Sequence, residues 1–316
     1  MEPTLVVRYA EIHLKGLNRP YFERSLVKRI ELALKPLKAD VVREQGRIFV
    51  FGIPAEELDS AADKLTRVFG IHSVSPALAT EKEWPEIVDA AKMLMEKRLS
   101  GKEHLTFKVF ARRSDKRFAM RSADINRTLG GLLLEAFPAL SVDVHKPDCY
   151  VGVEIRQNQA FIFIDELLGA GGMPVGCNGH AMLLISGGID SPVAGHMIAK
   201  RGVRISAVHF FSYPYTSERA RDKVVDLTRI LSAYAGAVDL YLVPFTEIQL
   251  AIYEKCPQSE TTVLMRRLMM KLSERLALAC GAQALVTGES IGQVASQTIE
   301  SMTVTGDAVT LPVFRP

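Results

Sequence analysis

Two serines, two glycines and a carboxylate fall within six residues, Ser186-Gly187-Gly188-Ile189-Asp190-Ser191, directly after the apolar run Leu183-Leu184-Ile185. That combination suits phosphate chemistry. Adjacent glycines let main-chain amides converge on an anion without Cβ obstruction, the hydroxyls of Ser186 and Ser191 add donors, and a helix opening at the loop aims its positive dipole end at the bound charge. Asp190 suits Mg²⁺ or the positioning of a nucleotide, or else a capping carboxylate. An ordinary strand-to-helix turn is the plainer reading of these residue types, but their concentration in one loop favours phosphate. The chain has no Gly-Lys-Ser/Thr triplet and no G-x-G-x-x-G after a strand, so Walker-type and Rossmann nucleotide binding both lose support.

A buried strand and a helix must hold this loop. Pro192 fits the first helical turn, and Val193, Met197 and Ile198 with small Ala194 and Ala199 predict a helix that packs on a sheet and ends near Gly202. Strands at 182–185, 203–211, 238–243 and 284–287, alternating with helices at 192–201, 217–235 and about 260–280, predict a parallel α/β sheet. Ligands on such sheets sit at the carboxyl ends of the strands, which singles out Leu184, Ile185, His209, Phe210 and the run Thr287-Gly288-Glu289-Ser290. His209 and Phe210 suit cover over an adenine face, or else sheet core, and Gly288 suits close approach of backbone to a nucleotide. In the last long helix Leu264, Leu268, Leu272 and Leu276 predict a core stripe, Gly281 a stop, and Arg266 and Arg267 lie opposite the stripe, on the surface or at a ribose or phosphate. Glu289 and Gln297 sit in a polar stretch with no motif of their own.

The first half reads differently. Strands at 4–9 and 47–51 and helices at 19–35 (Phe22, Leu26, Ile30 and Leu34 on one face) and 56–69 suggest a small ferredoxin-like α+β module. Residues 71–78 then lead to a helix over 86–99, a strand over 105–111, a helix over 122–136 capped by Ser122, and strands at 142–145, 150–155 and 160–168. Gly169 to Pro174 breaks all periodicity and marks a boundary. Between Phe107 and Gly130 lie Lys108, Arg112, Arg113, Lys116, Arg117, Arg121 and Arg127 against only Asp115 and Asp124, with Phe110 and Phe118 among them. Arginine forks with interspersed aromatics suit backbone phosphates and unstacked bases, as a solvated face is the bland reading.

At 316 residues and 48% hydrophobic content the chain should fold as two or three domains, and its net charge of +3 is too small to name a partner. Cys149, Cys177, Cys256 and Cys280 form no C-x-x-C pair, which argues against a zinc site or a disulfide framework and fits a reducing cytoplasm. Met1 to Ala10 lacks the apolar centre of a signal peptide, and no run reaches the roughly 18 apolar residues of a membrane helix.

Taken together, Arg8 to Gly16, the basic stretch 107–134, Gly169 to Gly176, the loop with its continuation Pro192-Val193-Ala194-Gly195, Val208 to Ala220, and Gly288 to Gln297 resemble the tRNA 4-thiouridine synthetase family, which is also linked to sulfur supply for thiamine thiazole. The loop resembles the PP-loop of ATP pyrophosphatases. The resemblance implies an N-terminal ferredoxin-like domain (1–60), a THUMP RNA-binding domain (61–168) and a PP-loop, adenine nucleotide α-hydrolase-like, parallel-sheet domain (175–316). It implies ATP and Mg²⁺ as cofactors, ATP contacts from Leu184, Ile185, the loop 186–191, His209, Phe210, Arg266, Gly288 and Gln297, and adenylation of tRNA uridine 8 at its C4 oxygen before sulfur displaces AMP. It assigns Ser186, Asp190 and Ser191 to catalysis, tRNA binding to the seven basic residues above, and no metal ligand set. The implied partners are tRNA, a cysteine desulfurase or other persulfide donor, a thiamine-pathway sulfur carrier protein and a second copy of the chain, in the cytoplasm. The family's chain normally continues past Leu311–Pro316 and its sulfur-carrying cysteine lies in that continuation, so a truncated chain is expected, with adenylation retained and sulfur transfer placed beyond residue 316. Two other classes fit part of the pattern: a small-molecule PP-loop synthetase, which leaves the chain before the loop without a role, and an RNA-binding protein with a vestigial nucleotide site.

Overall fold

The computed structural model describes residues 1–44, 46–293 and 297–316. They form two compact units, residues 1–13 with 26–171, and residues 14–25 with 172–316.

The first unit contains β1 (Glu2–Tyr9), α1 (Arg19–Ala33) from Leu26 onward, β2 (Asp40–Glu44), β3 (Arg47–Phe51), α2 (Leu58–Thr66), β4 (Ile71–Thr80), α3 (Trp84–Leu99), β5 (Leu105–Arg113), α4 (Ser122–Ala136), β6 (Leu140–Val142), β7 (Cys149–Ile155), β8 (Ala160–Phe163) and β9 (Leu167–Leu168). Among the described residues these strands make one mixed sheet of nine, ordered β2-β3-β1-β4-β8-β7-β5-β6, with β9 paired to β4. Apolar residues spaced three and four apart let α3 and α4 bury Ile87, Ala91, Met95, Ile125, Leu129 and Leu133 against Phe107, Val151, Val153 and Ile162 of the sheet. Phe22, Leu26 and Ile30 of α1, and Leu34 directly after it, are buried as their spacing predicts.

Departures from the expected elements have local causes. β2 was not foreseen because its DVVRE sequence is half polar; its strand state comes from antiparallel pairing with β3. Residues 71–80 are a full strand rather than a connection, paired to β1 along its length. The strand expected at 142–145 ends at Val142 because the Asp143 carboxylate accepts hydrogen bonds from the His145 and Lys146 amides and turns the chain. The expected strand 160–168 divides into β8 and β9, which pair with separate stretches of β4. Ser122 does not cap α4: Arg121 occupies the cap with extended backbone, and no side chain closes it.

A carboxylate buried in this unit sets a testable stability term. Glu154 on β7 is 5% accessible and lies 2.6 Å from Arg156, 3.4 Å from Arg47 and 3.9 Å from Arg8. Burial pushes its carboxyl up, but Arg47, Arg156 and Arg8 outweigh that and hold it below the ordinary carboxylate value. A group with a depressed folded pKa stabilises the fold at pH above its unfolded value and loses that contribution as pH falls through the folded one. Glu154→Ala, which leaves three buried guanidinium groups without their shared anion, is expected to cost about 3–5 kcal/mol at neutral pH. The difference from wild type should shrink below about pH 4. Urea unfolding followed by Trp84, the single tryptophan and a residue of this unit, measures it.

The second unit contains β10 (His180–Leu184), α5 (Asp190–Lys200), β11 (Arg204–Phe211), α6 (Glu218–Ala235), β12 (Leu240–Pro244), α7 (Thr246–Lys255), α8 (Thr261–Ala279), β13 (Ala284–Val286), α9 (Ile299–Gly306) and β14 (Val313–Phe314). The sheet is ordered β12-β11-β10-β13-β14 and every pairing is parallel. The chain runs outward from β10 through β11 to β12, then returns to place β13 on the other side of β10. The strand order therefore reverses between β10 and β13, where open α/β sheets leave a crevice.

Two helices present other faces than their apolar residues suggested. On α5, Ser191, Ala194, Gly195 and Ala199 are buried whereas Val193 and Met197 are about half exposed; a Cβ on Gly195 would come within 2.6 Å of Leu183, so small residues set the helix close to the sheet. On α8 the leucine stripe is not the buried face, although Leu276 packs against the edge of the core. Met270, Ser273 and Ala277 are buried, Leu268 is exposed and Leu264, Leu272 and Leu276 are intermediate. α7 and α9 were not foreseen; each buries a single residue, Ile252 and Thr305, too weak a periodic signal to read. No helix among the described residues is long and apolar enough to cross a membrane.

Candidate nucleotide site and basic surface

β10 ends at Leu184 and α5 begins at Asp190, so the hexapeptide spans most of the loop between them and the first two residues of the helix. Its shape is fixed from within. The Ser186 amide donates to Ser191 Oγ at 2.9 Å, the two hydroxyls lie 3.2 Å apart, and the Gly188 amide donates to Ser186 Oγ at 3.4 Å. Ser191 is buried and staples the loop, whereas Ser186 stands exposed at its mouth. Neither Gly187 nor Gly188 has a positive φ, and a Cβ there would meet nothing nearer than 3.8 and 3.5 Å. The fold does not require glycine at these positions; what glycine does is keep the space over the loop amides open.

Gly288 behaves oppositely. A Cβ on it would lie 2.5 Å from the Ser191 amide nitrogen and 2.6 Å from the Asp190 carbonyl carbon. Its role is close approach of the segment after β13 to the phosphate loop's own backbone, where the sequence had suggested approach to the nucleotide.

A cavity of about 240 Å³ opens between these segments, lined by Leu184, Ser186, Asp190, Ser191, Arg266, Met269, Met270, Thr287, Gly288, Glu289 and Gln297. It sits at the carboxyl ends of β10 and β13, at the reversal of strand order. Arg266 reaches it from the buried face of α8, three and four residues before Met269 and Met270; that helical spacing is the signal by which both methionines were readable. Glu289 is the residue that sequence reasoning left without a role. Its carboxylate lies 3.4 Å from Arg266 Nη1 and 3.1 Å from Arg315 Nε, and accepts from Thr287 Oγ1 at 3.1 Å. Arg315 arrives beside β13 through the pairing of β14 with it, a neighbourhood no local pattern announces.

Gln297 is 8% exposed, and its Oε1 has no hydrogen-bond partner among the described residues. Gln293 Nε2 donates to Asp190 Oδ2 at 3.0 Å. Val294, Ala295 and Ser296 of the same motif lie outside the described residues. His209 is buried, with its Nδ1 3.0 Å from the Ile185 carbonyl; that contact makes Nδ1 the protonated nitrogen and leaves the buried Nε2 as an acceptor without a partner among the described residues. Phe210 packs edge-to-face on Phe245 at 5.5 Å, with Tyr241 and Val243 in the same cluster. Successive residues of β11 project to opposite faces of the sheet, so His209 and Phe210 do not form one stacking surface. The cavity thus unites Leu184, Ser186, Asp190, Ser191, Arg266, Gly288 and Gln297; Ile185, His209 and Phe210 lie behind it in the sheet, and Gly187 and Gly188 face a neighbouring apolar groove.

The basic residues of the first unit divide by their partners. Arg112, Lys116, Arg117, Arg121 and Arg127 are exposed, with the Arg112 guanidinium 5.0 Å over the exposed ring of Phe110. Arg113 is partly buried and donates to the Phe118 carbonyl at 2.9 Å, and Lys108 donates to the Val144 carbonyl at 2.9 Å, so both tie backbone together. Phe118 packs on the α3–α4 core and is not a stacking platform. Asp115 anchors the loop: it is 5% accessible, 2.8 Å from Lys82 and 3.1 Å from Arg117, and hydrogen bonds from those two cations hold its carboxyl far below the usual range.

Residues 176–316 match the family described as thiamine biosynthesis protein (ThiI), residues 4–75 match the ThiI ferredoxin-like domain and residues 81–165 match the THUMP domain. The chain is 51% identical over its whole length to a protein of Acetivibrio thermocellus and 50% identical to one of Lachnospira eligens, each named as a probable tRNA sulfurtransferase, and it spans 81% of either. Among solved structures it is similar to a 4-thiouridine synthetase in complex with RNA and bound ATP, with TM-score 0.92, 40% identity and coverage of 100% of this chain and 81% of that one. A protein from Pyrococcus horikoshii Ot3 gives TM-score 0.76, 25% identity and coverage of 99% and 94%. With half of its residues shared over its whole length with these relatives, the chain belongs to the ThiI family of tRNA sulfurtransferases.

Proposed function

We propose that this chain is an ATP-dependent tRNA sulfurtransferase that adenylates uridine 8 at its C4 oxygen and replaces that oxygen with sulfur, yielding 4-thiouridine. The observation that carries the reading is the convergence of Ser186, Asp190, Ser191, Arg266, Gly288 and Gln297 on one cavity at the reversal point of a parallel sheet. The uridine oxygen attacks the α-phosphorus; its bond to phosphorus forms as the α–β bridge breaks, the electron pair leaves with pyrophosphate, and the base loses its N3 proton. An oxygen on an amide-like carbon is a poor leaving group until AMP is attached to it. The terminal sulfur of a persulfide, supplied by a donor such as a cysteine desulfurase, then adds at C4 and AMP departs; a second thiol attacks the carrier sulfur, breaking the S–S bond, so that a disulfide forms and the thiocarbonyl is left on the base.

The loop amides and the N-terminus of α5 face the phosphates. Arg266, held by Glu289, orients the triphosphate, and the Gln297 Oε1 acceptor suits a hydrogen-bond donor of the nucleotide or the base. Of the two carboxylates that line the cavity, Glu289 is engaged by Arg266 and Arg315 and Asp190 has one oxygen on Gln293 Nε2, so Mg²⁺ would be held mainly by phosphates and water. Asp190 would hold that ion, which supplies charge neutralisation of the triphosphate. A homodimer in the cytoplasm, presenting the RNA held by one subunit to the site of the other, completes the proposal, with a thiamine-pathway sulfur carrier as a second acceptor. Calorimetry with ATP and Mg²⁺ tests the site: heat of binding with one nucleotide per chain is expected, and none would refute it.

The exposed arginines make a separate prediction. Replacing Arg112, Lys116 and Arg121 together by alanine should weaken tRNA binding by about tenfold or more and lower the slope of log affinity against log salt by roughly one for each phosphate no longer neutralised. Filter binding at several salt concentrations reads both quantities. Nucleotide binding should not change.

A further inference from the structure

Charge around the nucleotide cavity is nearly cancelled by protein groups. Asp190 and Glu289 are its carboxylates, and Arg266 and Arg315 are both engaged with Glu289 at 3.4 and 3.1 Å. The loop 186–191 holds hydroxyls and an acid but no cation. A triphosphate, and still more a departing pyrophosphate, needs a positive charge that is not already committed.

Lys223 supplies one. It lies on α6, across the groove from the loop, with its Cδ 3.8 Å from the place a Cβ on Gly187 would occupy, and it lines that groove with Gly187, Gly188 and Ile189. The side chain is exposed and has no ion-pair partner among the described residues. The nearest acids on its own helix are engaged elsewhere: Asp222 pairs with Arg221 at 3.3 Å and Asp226 with Arg229 at 2.5 Å. The opposing face of α5 offers it only Val193, Pro192 and His196. The ammonium of a side chain whose stem runs beside the loop reaches an anion seated on the amides of Gly187 and Gly188.

We infer that Lys223 binds the β- and γ-phosphates of the nucleotide and stabilises the oxygen that receives the electron pair when the α–β bridge breaks. This rests on the nucleotide-site reading above. It gives the loop a cation from a neighbouring helix, in place of the lysine that Walker-type loops carry within themselves.

The test compares ATP with AMP, which lacks the two phosphates in question. Calorimetry with Mg²⁺ on the full chain should show Lys223→Ala binding ATP about 10- to 100-fold more weakly, as removal of a charge-assisted hydrogen bond to phosphate implies. AMP affinity should stay within about twofold, and Lys223→Arg should restore most of the ATP affinity. Unaltered ATP affinity in Lys223→Ala, or equal weakening for ATP and AMP, would overturn the assignment while leaving the nucleotide site intact. A wild-type chain that binds neither nucleotide would instead remove the site itself.

Discussion

Asp190→Ala is expected to lower tRNA-dependent pyrophosphate release by about 10²- to 10³-fold, the usual cost of removing one preorganised electrostatic interaction with a transition state. The carboxylate lies at the first residue of α5, in the cavity wall, with one oxygen on Gln293 Nε2. Removing it takes away an anchor for the metal-bound triphosphate and frees Gln293, but it breaks no core packing, since the residue is only partly buried. tRNA affinity should remain within about twofold, because the basic surface is built on β5, α4 and the loop between them, anchored by Asp115. A stopped assay of pyrophosphate with and without tRNA, beside filter binding, separates the two effects. Unchanged release would take the loop carboxylate out of the chemistry.

Gly288→Ala should be nearly as damaging for a different reason. The added methyl would meet the backbone of Asp190 and Ser191 at 2.5 to 2.7 Å, and backbone cannot swing aside as a flexible side chain can. Either β13's following segment or the phosphate loop must move, at a cost of about 1–3 kcal/mol in stability. ATP affinity should fall by roughly tenfold or more as the loop amides lose their alignment. Gly187→Ala is the informative comparison: its Cβ would meet only Lys223 Cδ, at 3.8 Å, so the melting temperature should hold while ATP binding weakens through occupied space. Differential scanning calorimetry with nucleotide titration distinguishes the two glycines. Equal behaviour would contradict the separation of a packing glycine from a ligand-space glycine.

The site was legible where its residues lie in one stretch of chain. Two glycines, two hydroxyls and an acid after an apolar strand define the loop without any tertiary knowledge, and the alternation that follows defines a parallel sheet. Residues brought in by β13 and β14 were harder. Gly288 was nominated by its place at a strand end and Gln297 through resemblance, and Glu289 has no role readable from its neighbours in sequence, because its meaning comes from Arg266 and Arg315, 23 and 26 residues away. Lys223 carries no motif at all; only the placement of α6 beside the loop gives it significance.

The same distinction explains the fold-level misreadings. Leucines at 264, 268, 272 and 276 form a persuasive apolar row, yet α8 turns Met270, Ser273 and Ala277 to the sheet, since small residues allow close packing and Arg266 must share that side to reach the cavity. On α5 the buried face is made of Ser191, Ala194, Gly195 and Ala199, which hydrophobicity undervalues. Arg113 donates to the Phe118 carbonyl and Phe118 packs on the α3–α4 core, contacts that residue type alone does not announce, while Arg112, Lys116 and Arg121 stand exposed.

The most direct measurement follows the phosphorus atoms. Incubated with Mg²⁺, tRNA and ATP labelled at the α or the γ position, the chain should release pyrophosphate only when tRNA is present, the γ label appearing wholly in pyrophosphate and the α label staying with the RNA as bound AMP until a sulfur nucleophile displaces it. Release of ADP and orthophosphate, or cleavage indifferent to RNA, would contradict transfer of AMP to a nucleobase.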